Sequence, residues 1–130
     1  MFYVTDTVAL LGHLQKRRKL GRQAQKILAE ADQGRHTIAL SGVTLMEVLY
    51  LSERGRISVG LGTLGDWLAQ SKNYIVVPVD FDVIVATATI DDIPELHDRV
   101  IAGTAVWLDV AILTKDADMV ASRHVRTIWQ

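Results

Sequence analysis

Apolar residues fall along this chain in two alternating patterns, short nearly unbroken runs and longer stretches with a single apolar face. The runs are Phe2 to Thr5, Thr37 to Leu40, Tyr74 to Val79, Val110 to Leu113 and Val125 to Trp129, and their length and composition predict five strands. Between them, Leu10, Leu11 and Leu14 share one helical face, as do Ala24, Ile27, Leu28 and Ala31, then Leu45, Val48 and Leu49, and later Leu61, Leu64 and Leu68. Helices are also expected over Val43 to Glu53 and Asp98 to Leu108. Strands alternating with helices imply an α/β fold, a mostly parallel five-stranded sheet with helices on both faces, because a parallel connection needs a crossover of roughly a dozen residues or more.

Two glycine-bearing stretches qualify this pattern. Gly60-Leu61-Gly62-Thr63-Leu64-Gly65 follows no strand and lacks a clean dinucleotide fingerprint, so a bend between helices is expected there. Gly103 lies inside a helix, where glycine costs roughly 1 kcal/mol relative to alanine, which predicts close packing against a neighbouring backbone.

A length of 130 residues suits one domain with one core, and residues 1–130 are expected to form it. With 49% apolar and 22% charged residues and only two prolines, the chain contains no linker or low-complexity tract. Its start lacks the basic and long apolar segments of a signal peptide, and no run of about 18 uncharged apolar residues occurs. A soluble, cytoplasmic protein with no membrane partner is therefore expected. The absence of cysteine excludes disulfides, zinc-thiolate sites and cysteine nucleophiles. A net charge of −1 excludes a uniformly basic nucleic-acid-binding surface, so a polyanion would have to be held by local clusters. The main one is Lys16, Arg17, Arg18 and Lys19, with Arg22 and Lys26, which is either a substrate-binding stretch or a solvated helix face.

The chemistry is carried by four acids. Asp6 closes the first strand and Asp116 follows the fourth, where ligand crevices of open α/β sheets form. Glu47 sits in a helix with Val43, Tyr50 and Leu51 as its i−4, i+3 and i+4 neighbours, and an ion in such surroundings needs a cation, a metal or several donors. Thr44-x-x-Glu47 is equally a capping-box spacing. Asp98 opens a helix above Ile101, Ala102 and Ala105, and a helix cap is its alternative role, as an ordinary turn is for Asp6 and Asp116. Thr114 either lends a hydroxyl to a carboxylate, water or phosphate or simply closes a strand. In a doubly wound sheet all four acids converge on the strands' carboxyl edge, with Asp98 delivered there by the Asp91-Asp92-Ile93-Pro94 loop. Four carboxylates in one crevice repel unless hard divalent cations neutralise them, and Mg²⁺ or Mn²⁺ suits such an oxygen-only site.

In these segments the chain resembles the PIN-domain nucleases, and most closely the single-domain VapC-type ribonuclease toxins. The matching stretches are Tyr3 to Thr7, Leu40 to Val48, Asp98 to Ala105 and Leu113 to Asp118, with Val125 to Trp129 similar to the family's last strand. The resemblance implies a PIN-like fold and a metal-dependent endoribonuclease in which Asp6, Glu47, Asp98 and Asp116 hold Mg²⁺ or Mn²⁺, supported by the Thr114 hydroxyl. It also implies an RNA substrate, a cognate antitoxin protein and a homodimer. The first helix departs from the family, since Leu10-Leu11-Gly12-His13 leads into a highly basic stretch where aromatic residues are common.

The same residues bear on other readings. A phosphoacceptor receiver module would use Asp80, but Val125 to Trp129 carries no lysine to contact an acylphosphate. A PIN-like module that only binds RNA or protein would gain little from four mutually repelling acids, and a housekeeping nuclease would lack the antitoxin. His13, His36, His97 and His124 are not at metal-ligand spacing, and only His97, beside Asp98, is a candidate proton donor or substrate contact. Trp67, Trp107 and Trp129 are expected to pack in the core or a dimer interface rather than stack on bases.

Overall fold

The computed structural model describes residues 1–16 and 20–130. In chain order the described elements are β1 (Phe2–Thr5), α1 (Thr7–Gln15), α2 (Arg22–Asp32), β2 (Thr37–Ser41), α3 (Gly42–Glu53), α4 (Leu61–Gln70), β3 (Tyr74–Val77), α5 (Phe81–Ala88), α6 (Leu96–Leu108), β4 (Ala111–Leu113), α7 (Ala117–Ala121) and β5 (Thr127–Ile128). The strands form one sheet in the order β3-β2-β1-β4-β5. Every pairing is parallel, so the sheet is all-parallel rather than mostly so.

Side chains alternate across the strands and divide the core in two. Val4, Ala39 and Ile112 point to one face, where they meet Val43 of α3, Val83 of α5, Ile101 and Ala105 of α6 and Met119 of α7. Tyr3, Ile38, Leu40 and Leu113 point to the other, against Leu10 of α1 and Ala24, Ile27 and Leu28 of α2. Leu10, Leu28, Ile38, Leu40, Ile101 and Ile112 are among the fully buried side chains, each contributing roughly 1.5–3 kcal/mol by leaving water. Gly103 allows α6 to lie directly on α5, because a Cβ there would stand 2.0 Å from Thr87 Oγ1.

Three local expectations differ from what forms. Gly60 to Gly65 is not a bend: α4 starts at Leu61 and carries Gly62 and Gly65 within it, anchored by buried Leu64. The buried face of α3 holds Val43, Thr44 and Val48, while Leu49 is exposed. Helices α5 and α7 are additional to those expected; α5 exposes Phe81, Ile84 and Val85, and α7 is a single short turn of five residues.

The chain moves outward from β1 through β2 to β3, then crosses back to place β4 on the other side of β1. The connections leaving β1 and β4 therefore diverge to opposite faces, opening a crevice at the strands' carboxyl edge. Asp6 and Asp116 sit at this reversal.

Candidate metal centre

Asp6 is held at the reversal by the backbone itself, since its N–H donates to Leu113 O at 3.2 Å across the β1–β4 boundary. Its side chain caps α1, with Oδ1 accepting from Ala9 N–H at 2.7 Å. The other oxygen, Oδ2, accepts from the Thr114 hydroxyl at 2.5 Å. Thr114 Oγ1 in turn accepts from Asp116 N–H at 3.0 Å, so one buried hydroxyl ties the two strand ends together. Asp116 caps α7 through Met119 N–H at 3.1 Å. The turn-and-cap roles of Asp6 and Asp116 are thus real and coexist with their convergence.

Glu47 is not in a capping box. Ser41 caps α3 by accepting from Val43 N–H, and Glu47 turns toward α1, where Thr7 donates to its Oε1 at 2.5 Å. Thr7 Oγ1 also lies 3.2 Å from Thr44 Oγ1, so two buried threonines from different helices steady this carboxylate. Asp98 is not the cap of α6 either. Glu95 occupies that position, accepting from the N–H groups of His97 and Asp98 at 3.0 Å each, which leaves the Asp98 side chain in the first helical turn.

One cavity of about 290 Å³ is lined by Asp6, Glu47, Asp98 and Asp116 together, with Ile101 below and Lys115 as its cationic wall residue. Its electrostatics are unfavourable for the protein alone. Burial pushes the Asp6 carboxyl above its ordinary range, offset by its bonds from Thr114 and Ala9 and reinforced by Asp116 and Glu47. Asp98 is raised to about 6, first by desolvation and then by Asp116, Glu95, Glu47 and Asp6. The donor set consists of carboxylates and hydroxyls without thiols, and its surplus negative charge fits a hard divalent cation. No three of these four side chains bring one oxygen each within 4.8 Å of one another; among the described residues that closeness is found in Asp91, Asp92 and His124, away from the cavity wall.

The remaining candidates lie elsewhere. Lys16, the C-cap of α1, lines a different concavity with Leu20 and Asp32, and Arg17, Arg18 and Lys19 lie outside the described residues. His97 borders an adjoining apolar cavity with Glu47 and Tyr50, and its Nδ1 lies 2.9 Å from Glu95 Oε2, a contact that raises its pKa. His13, His36 and His124 each pair with a carboxylate, of Asp32, Glu30 and Asp91 respectively. Trp67 packs on Tyr74, whereas Trp107 is close to half exposed.

Local sequence signals do not point to Thr7 or Glu95, and they give Thr44 only a helix-capping role. The only local sign for Thr7 is a polar residue within an otherwise apolar stretch, and its partners are 37 and 40 positions away. For Glu95 the sign is an acidic residue three positions before Asp98.

Comparison with known proteins gives a family and a fold. A family model described as PIN domain matches residues 3–124. No curated protein matches the chain in sequence. Among solved structures, it is similar to a chain of the VapBC2 complex from Rickettsia felis bound to a DNA fragment from their promoter, at a TM-score of 0.72 and 14% identity over 100% of both chains. A toxin-antitoxin complex from Klebsiella pneumoniae matches at 0.65 and 20%, covering 95% of this chain and 94% of that one. FitAcB from Neisseria gonorrhoeae matches at 0.66 and 18%, covering 97% and 96%. At these identities the likeness is one of fold.

Proposed function

The chain belongs to the PIN-domain family, and from that premise we propose that it is a metal-dependent endoribonuclease, the toxin of a type II toxin–antitoxin pair. The observation that carries this reading is the meeting of Asp6, Glu47, Asp98 and Asp116, from four separate segments, on the wall of one cavity. Carboxylates so arranged raise one another's proton affinity, a cost that a fold gains nothing from unless a cation is to be bound.

In this reading Asp6, Asp98 and Asp116 hold Mg²⁺ or Mn²⁺, directly or through water, with Glu47 completing the site. When bound, the cation supplies Lewis-acid activation of water and neutralises charge on the phosphate. Glu47, steadied by Thr7, orients the attacking water and accepts its proton as the new oxygen–phosphorus bond forms and the opposite one breaks. Thr114 keeps Asp6 and Asp116 in register through its hydroxyl.

The partner assignments follow from the same premise. An antitoxin is supported by the name of one solved structure that shares the fold, a toxin–antitoxin complex from Klebsiella pneumoniae. A homodimer is supported by two exposed apolar helix faces, Met46, Leu49 and Tyr50 of α3 and Phe81, Ile84 and Val85 of α5, which water disfavours. No helix among the described residues is long and apolar enough to cross a membrane, and a cysteine-free chain suits the cytoplasm. Residues 1–130 act as one nuclease domain.

The test is cleavage of single-stranded RNA by purified protein in EDTA, Mg²⁺ and Mn²⁺ in parallel. Cutting restricted to the metal-containing reactions is expected, with inactivity of Asp98→Asn. Binding of RNA without cleavage under any of these conditions would instead identify a binding module.

A further inference from the structure

A nuclease must hold a polyanion on either side of the bond it cuts, and a carboxylate-lined cavity repels that polyanion at long range. Lys115, the cationic residue on this cavity's wall, also borders a second concavity of about 700 Å³ whose walls include Arg22, Gln25, Trp129 and Gln130. Lys115 Nζ stands over the Trp129 ring, 5.6 Å from its centre. One side chain thus connects the acidic cavity to an aromatic surface with a second cation, Arg22.

This surface is built on packed backbone. Lys115 and Trp129 follow β4 and β5, which are joined at their ends by Thr114 N–H donating to Ile128 O at 3.1 Å. The start of α2 is fastened to the same segment, with Ala24 N–H donating to Trp129 O at 3.0 Å and Arg22 N–H to Gln130 Oε1 at 3.4 Å. Gly21 is what permits this approach, since a Cβ there would lie 2.1 Å from Trp129 O. The backbone segments that carry Arg22, Lys115 and Trp129 therefore keep a fixed relation to Asp116.

We propose that Lys115, Arg22 and Trp129 form a binding subsite for a single-stranded nucleic acid next to the scissile bond, with two phosphates at Lys115 and Arg22 and one base on the Trp129 ring. This deepens the nuclease reading and rests on it. An aromatic ring lining one concavity with two cations suits the alternation of base and phosphate along a single strand, and the stacked base takes the place of the Lys115 ammonium over the ring. An acidic peptide would match the cations alone and leave the ring without a partner.

The test uses Asp98→Asn protein with Mg²⁺ and an oligouridylate of about eight nucleotides, read by tryptophan fluorescence over a salt series. Quenching on binding is expected, and it should vanish in Trp129→Phe while persisting in Trp107→Phe. Arg22→Ala with Lys115→Ala, both at exposed positions, should weaken binding and flatten the log–log salt dependence by about 1.4, the equivalent of two single-strand phosphates. This second measurement holds even if Trp129→Phe does not fold. Unchanged affinity and slope in the double variant, or equal quenching by an oligoglutamate of the same charge, would overturn the subsite. Metal-dependent cleavage is scored separately: a protein that binds as described without ever cutting RNA loses the nuclease reading, and one that cuts RNA with an unaltered salt slope in the double variant loses only the subsite.

Discussion

Two groups of acidic side chains in this molecule are treated in opposite ways by their surroundings. Asp91 and Asp92 are surrounded by donors: His124 Nε2 lies 2.9 Å from Asp91, while the Arg123 N–H and the Ser122 hydroxyl donate to Asp92 at 2.8 Å each. These contacts hold both carboxyls below their ordinary range, led by the His124 bond for Asp91 and the Arg123 bond for Asp92. In the cavity, by contrast, burial and mutual repulsion lift Asp6 and Asp98. The tighter group, with ligand-type atoms within 4.8 Å of one another, is the one already neutralised by the protein. The looser quartet carries the uncompensated charge. On the proposed reading, surplus charge rather than crowding of donor atoms marks the cation site, and each half of the contrast can be attacked by substitution.

The largest effect is expected on cleavage. Asp98→Asn keeps the shape of the side chain but removes its charge, and loss of a ligand should lower the cleavage rate at least about 100-fold, since even outer-shell partners of metals cost 10- to 100-fold. Asp92→Asn should leave that rate unchanged. Single-turnover RNA cleavage by variants with native circular dichroism decides it, and an equal fall in both would abolish the distinction between the two groups. Thr114→Val should have an intermediate effect of roughly tenfold, because it frees Asp6 and Asp116 from their shared hydroxyl without removing a carboxylate.

A smaller effect, on stability, separates the groups without any assay of activity. A cation that binds the native state at a hundredfold excess over its Kd adds about 2.7 kcal/mol, or roughly 10 °C in Tm for a domain of this size. Mg²⁺ or Mn²⁺ should raise the melting temperature of wild type and of Asp91→Asn alike, and Glu47→Gln should blunt the response. A rise that disappears in Asp91→Asn and survives in Glu47→Gln would transfer the cation to the surface cluster.

This contrast was only half legible in the sequence. The strands could be found because buried parallel strands are apolar on both faces, and the acids could be found because Asp6 and Asp116 follow such runs while Glu47 and Asp98 stand among apolar helix neighbours. What the quartet does with its charge depends on contacts between distant positions, such as Thr114 with Asp6 across 108 residues and Thr7 with Glu47 across 40, which no local spacing encodes. The capping-box spacing at Thr44 pointed to a local role for Glu47 that tertiary contacts override. Helix α5 lacked a periodic signal because its apolar residues are spread around it, with Phe81, Ile84 and Val85 exposed opposite buried Val83. In α4 the face of Leu61, Leu64 and Leu68 is legible, but Gly62 and Gly65 make its start read as a bend; a Cβ at either would meet nothing within 4 Å, and the packing of Leu64 carries the helix.

The smallest expected effect is the dependence of metal-free stability on pH, and it carries the sign of the contrast. Asp98 binds its proton more tightly in the folded state, at about 6 against an ordinary 3.8, so its contribution is fully present below about pH 4 and is lost as pH rises through 6. Asp6 acts in the same direction. Asp91 and Asp92 act in the opposite one: their lowered pKa values give stability that is present above the ordinary carboxylate range and lost as pH falls below it. His97, raised from 6.5, loses its contribution at higher pH, whereas Glu30 and Glu95, lowered from 4.5, act like Asp91 and Asp92 and gain theirs, as pH rises, chiefly below about pH 5, so the interval from 5 to 6 reports on the buried acids. Partial exposure of Asp98 screens the effect to about 1 kcal/mol, a few degrees in Tm. Melting curves in EDTA should therefore fall between pH 5 and 6 for wild type, and fall less for Asp98→Asn. Saturating Mg²⁺ should remove the decline, because the cation favours the ionised carboxylates that repulsion disfavours. A wild-type curve that rises over this interval, or one that Asp98→Asn leaves unaltered, would mean that the cavity's acids are as well compensated as those at the surface.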